Sequence, residues 1–139
     1  MSVDLESQKA LRARFTTTAA ITSLVPASSI LDTNQRPAPV PSIIMGESQV
    51  VDEGTSLKRQ HSRVYHTLHV WTREASLEGV KAICSEIRRA VQFGPRLVMA
   101  DPYHCADLRV SQVRTLRDPD GEHSHGIVTV EALISEALT

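Results

Sequence analysis

The stretch DPDGEHSHG, Asp118 to Gly126, gathers Asp118, Asp120, Glu122, His123 and His125 within nine residues. Carboxylates and imidazoles at such density are the side chains of a zinc site or of acid–base hydrolysis. His123 and His125 stand two apart, so on a strand both would point the same way and form an acceptable pair of ligands. A third ligand would come from Asp118, Asp120, His104 or Cys105, and none of these stands in a recognised ligand spacing. Turn chemistry accounts for the same residues more simply. Pro119 presets φ at the first corner, Asp118 can accept from the backbone ahead, and Gly121 can take φ > 0. Asp118, Pro119, Asp120 and Gly121 are therefore expected to form a structural turn between two strands, with no metal bound.

The other reactive side chains converge no better. His66 and His69 fall on opposite faces of a strand. No G-x-S-x-G elbow singles out a serine nucleophile. Cys84 lies in the apolar stripe of a helix, which favours packing over reactivity. The isolated glycines of GPRL and GES make no phosphate loop, so no cofactor is expected. Lys58, Arg59, His61 and Arg63 could touch phosphate, but a solvated surface is the plainer reading of such a cluster. Trp71 suits either a core or an interface. The sequence thus designates no catalytic residue.

The elements that hold these residues follow from pattern. Asp4 and Glu6 precede Lys9, Arg12 and Arg14, as the helix dipole favours, and Leu5, Leu11 and Phe15 can share a face. TTTAAITSLV reads as a shorter helix stopped by Pro26. Pro37, Pro39 and Pro41 then impose an extended connector into a strand at Ser42–Met45. Gly46 to Arg63 is polar and split in charge, with Glu47, Asp52 and Glu53 before Gly54 and Lys58, Arg59 and Arg63 after it. It reads as a long hairpin loop, of a length that is usually functional or disordered. In VYHTLHVWT, Val64, His66, Leu68 and Val70 share one face and Tyr65, Thr67, His69 and Trp71 the other. Bulk on both faces suits a central strand, or one whose second face meets another subunit. ASLEGVKAICSEIRRAV is an amphipathic helix with Leu77, Val80, Ile83, Cys84, Ile87 and Val91 as its stripe and Ser76 able to cap it. Strands over 106–117 and 125–134 complete the chain.

At 139 residues, with 41% hydrophobic and 22% charged residues, the chain suits one globular α+β domain spanning 1–139. A net charge of −1 excludes general attraction to nucleic acid or an acidic membrane. Two cysteines make no disulfide framework and suit a reducing, cytosolic setting. The charged MSVDLESQKALRARF has no apolar core of a signal peptide, and no run reaches the length of a membrane span.

Taken in order, LESQKALRARF, the proline-spaced entry to PSIIMGES, HTLHVWTRE, VKAICSEIRRAV and DLRVSQVRTLRDPDGEHSHGIVTVEAL resemble the tail-completion (tail terminator) proteins of long-tailed bacteriophages and of related prophages or gene-transfer particles. The resemblance spans nearly the whole chain; HVWTRE and the RDPDG-x-x-x-HG hairpin carry it best. It implies a mostly antiparallel sheet of about four to five strands, packed with an N-terminal helix and one central amphipathic helix. It also implies a structural virion protein: a homohexameric ring on the head-proximal end of the tail tube, assembled in the bacterial cytoplasm. Its partners would be itself, the major tail tube protein and a head–tail connector or stopper protein, with DNA passing through unread and no membrane involved. Glu47, Asp52, Glu53, Lys58, Arg59, Arg63 and Trp71 are the residues expected at subunit or tube contacts. A different neck component, a head-completion or stopper protein, is the nearest rival; a small metal-dependent enzyme is the remoter one.

Overall fold

The computed structural model describes residues 2–33 and 38–138. Its elements run α1 (Val3–Thr16), α2 (Ala19–Thr22), a 3-10 turn at Ala27–Ser29, β1 (Ile30–Leu31), β2 (Ser42–Asp52), β3 (His61–Thr72), α3 (Glu78–Gln92), β4 (Tyr103–Arg117) and β5 (Ser124–Glu136). The five strands form one sheet in the order β1-β2-β3-β5-β4, antiparallel except where β1 runs parallel to β2. This is the expected α+β domain, mostly antiparallel, with α1 and α3 packed on it. Of the connector prolines, Pro37 lies outside the described residues. Among the described residues, no helix is long and apolar enough to cross a membrane.

Period-2 alternation decides which face of the sheet is covered. Val64, His66, Leu68 and Val70 pair across to Ala132, Val130, Val128 and Gly126, and all are buried under the helices. The alternate residues Tyr65, Thr67, His69 and Trp71 are only half-buried on the opposite face. α3 contributes Val80, Ile83, Cys84, Ile87, Ala90 and Val91 to the core, close to the stripe its spacing predicts. Each buried valine or isoleucine among them gains roughly 1.5–3 kcal/mol on burial. The helix begins two residues after Ser76. The Ser76 hydroxyl accepts from Glu78 N–H at 3.1 Å, and the Glu74 carboxylate accepts from Gly79 N–H at 2.7 Å. Arg14 closes the other end by donating to the carbonyls of Ala90 and Pro95. Helix and sheet approach closely at Gly126, where a Cβ would lie 2.6 Å from Cys84 Sγ.

Three expectations need correction. On α1 the buried face is Ser7, Leu11 and Phe15, while Leu5 is 43% exposed; four-residue spacing back from Leu11 lands on Ser7. The penultimate strand starts at Tyr103 rather than near Ala106, because Tyr103 and Cys105 are buried and pair with Glu136 and Ile134. Most consequentially, the segment 46–63 is not a loop over most of its length. β2 and β3 stay paired out to Asp52 opposite Ser62, with a bulge between Met45 and Ser48, so a long two-stranded arm ends in a tip at 53–60.

Candidate functional site

The opening stretch divides between a turn and a strand. Residues 118–123 connect β4 to β5. Gly121 sits at φ +73, its N–H donating to the Asp118 carbonyl at 3.0 Å. The Asp120 carboxylate accepts from the N–H groups of Glu122 and His123 and from the His123 ring, and these bonds hold its pKa down at about 2. His123 is thereby tied to the turn. His125, already on β5, faces elsewhere, so the two histidines expected to share a strand face do not converge.

His125 instead meets β3. Its ring stacks on Trp71, with centroids 3.9 Å apart and planes within 4°, and His125 Nε2 lies 2.9 Å from Nδ1 of His69. One of these two nitrogens donates and the other accepts, so at least the accepting ring is neutral. Burial lowers the pKa of His125, and the neighbouring His69 lowers it further. The β2 bulge brings Glu47 Oε1 to 3.4 Å from His69 Nε2, while Gly46 passes so close that a Cβ there would strike the His69 ring. This group of β2, β3 and β5 side chains floors an open concavity of about 760 Å³, with Ile44 beside Trp71 and with Asp118 and Asp120 at the rim. The pairing was invisible in sequence, since His69 and His125 lie 56 residues apart and meet only through the register Trp71↔His125. Among the described residues, no group of three or more His, Cys, Asp or Glu is placed to hold a metal ion.

A second cluster has the residue types of a hydrolase. Ser7 Oγ and His66 Nε2 are 2.6 Å apart, and Asp4 stands close by. Yet Ser7 is 0% and His66 2% exposed, so no carbonyl carbon can reach the hydroxyl. Ser7 also donates to the Asp4 carbonyl at 3.0 Å, and Ser48 at the base of the arm donates to the Asp4 carboxylate at 2.9 Å. The cluster pins α1 to the sheet. The two thiols are free and buried, and burial raises both, Cys84 to about 11. Neither is a nucleophile at neutral pH.

The charged residues of the arm fall into pairs. Arg63 forks onto Glu53 at 2.8 and 3.0 Å and reaches Glu131 at 3.1 Å, which in turn holds Arg109 at 3.0 Å. Hydrogen bonds from Arg63 depress the Glu53 carboxylate. Asp52 pairs with Arg59 at 3.0 Å inside the tip. Lys58 has no ion pair among the described residues, and the adjacent Leu57 is 98% exposed. Of the seven residues expected at contacts, Asp52, Glu53, Arg59 and Arg63 thus brace the arm itself. Glu47 and Trp71 lie in the concavity, and Lys58 projects from the tip.

The family described as Tail completion protein gp17 matches residues 9–135. Among solved structures, the fold is similar to a chain of the "Virion of native gene transfer agent (GTA) particle". The TM-score is 0.79 at 18% identity, covering 96% of this chain and 98% of that one. No curated protein matches the sequence.

Proposed function

We propose, for a chain that belongs to the Tail completion protein gp17 family, that it is the terminator of a tail tube. Its copies, six to a ring, would sit on the head-proximal end, stop further addition of tail tube protein and present a surface to the head's connector or stopper. The observation that carries this reading is the family match over residues 9–135. The fold shared with a chain of a gene transfer agent virion supports it, as does an arm that projects from the domain while bracing its own charges. Such a role asks for surfaces rather than chemistry, and the buried Ser7–His66 pair offers none to a substrate. With a net charge of −1, the ring would let DNA pass without holding it.

The test is tube assembly in vitro. Tail tube protein from the same particle is polymerised with and without this chain. Tubes that stop growing and carry density at one end are the expected result. Tubes that lengthen unchanged, with the protein bound to isolated connectors instead, would assign it to another neck position.

A further inference from the structure

We propose that the arm tip of one copy seats in the concavity of the neighbouring copy, with Leu57 against the Trp71–His125 stack and Lys58 beside Glu47. The proposal deepens the ring reading above and rests on it.

The tip is built to present these two side chains. Glu53 N–H donates to the His61 carbonyl, Asp52 accepts from Gly54 N–H and from Arg59, and Thr55 Oγ1 meets His61 Nδ1 at 2.9 Å. A hairpin end ordered by so many internal bonds leaves Leu57 98% exposed. Beside it stands the one arm cation, Lys58, without an ion pair among the described residues. An ordered tip offering an apolar side chain and a free ammonium matches a partner that is aromatic at its floor and acidic at its rim.

The concavity has that character. Trp71 and His125 stack face to face as its aromatic lining, Ile44 and Val40 extend it, and Glu47 joins it with a side chain 73% exposed. The two surfaces lie at opposite ends of one hairpin. Along β3 Trp71 lies nine residues from Ser62, roughly 30 Å at ~3.3 Å per residue, and along β2 Glu47 lies five residues from Asp52, roughly 17 Å, with the tip beyond. They cannot meet within one copy. Between copies the contact is head-to-tail, the kind that closes into a ring when the rotation permits.

The experiment is disulfide trapping in the full chain. Leu57 and Val40 are both exposed, so cysteines there leave the core intact, and the native Cys84 and Cys105 are buried. Under mild oxidation the double variant L57C/V40C should give a ladder of covalent oligomers on a non-reducing gel, and each single variant should give none beyond a dimer. In parallel, K58E should weaken association by about twofold to fivefold, and E47K should restore it in the K58E background. Rings that form normally yet never cross-link, and that ignore K58E, would overturn this contact while leaving the ring in place. A wild-type chain that stays monomeric would overturn both.

Discussion

At the scale of single residues, His66 is the most informative group. Burial lowers its pKa from 6.5 to about 4, and the nearby Asp4 carboxylate offsets only part of that. Unfolded, the ring titrates near its ordinary value. Between the two values the unfolded chain binds more protons than the folded one, so this contribution is fully present above 6.5 and is lost as pH falls towards 4. The loss amounts to roughly 3 kcal/mol at most. His125 shifts in the same direction, so the discriminating quantity is a difference between proteins. H66Q should flatten the stability profile over that window, measured by urea denaturation at several pH values; parallel profiles would contradict a neutral buried imidazole. Gly121 offers a backbone test. A Cβ there meets nothing within 4 Å, so any penalty comes from its φ of +73 alone. G121V should cost about 1–2 kcal/mol in thermal or chemical denaturation, and G121N distinctly less. The turn was legible because Asp, Pro and Gly act locally. The Ser7–His66 and His69–His125 contacts were not, because each depends on how distant elements register.

At the scale of elements, α3 was legible because its stripe repeats at helical spacing, although the helix starts at Glu78 and also buries Ala90. The arm reads as a loop in the sequence for an equally physical reason. GESQVVD and HSR are polar, and polarity in a row looks like loop. Here the strands are held by cross-strand pairing and by the Glu53–Arg63–Glu131–Arg109 chain of charges rather than by burial. β1 escaped notice because two residues, Ile30 and Leu31, carry no periodicity. Glu131 is 7% exposed, so losing one of its two arginines leaves a nearly buried carboxylate half-satisfied. R63A should therefore fray the arm. Amide hydrogen exchange at Val51, whose N–H faces β3, should rise severalfold while that at Val128 and Val130 stays slow. Equal protection of the arm in R63A and wild type would show that backbone pairing alone suffices.

At the scale of the molecule, one face of the sheet is sealed by helices and the other is left half-exposed, carrying Tyr65, Thr67, His69 and Trp71. Bulk on both faces of β3 was visible in the alternation of VYHTLHVWT, and it is what a subunit needs if association is to bury what folding does not. A member of a tail completion family with such a surface is expected to work as an assembly rather than alone. The most direct measurement is the mass and symmetry of the purified chain, by sedimentation velocity with class-averaged electron micrographs of the same sample. A closed ring of six times the 15.3 kDa chain mass is the expected result. A species that remains a single 15.3 kDa chain at every concentration, and stays so when tail tube ends are supplied, would contradict it.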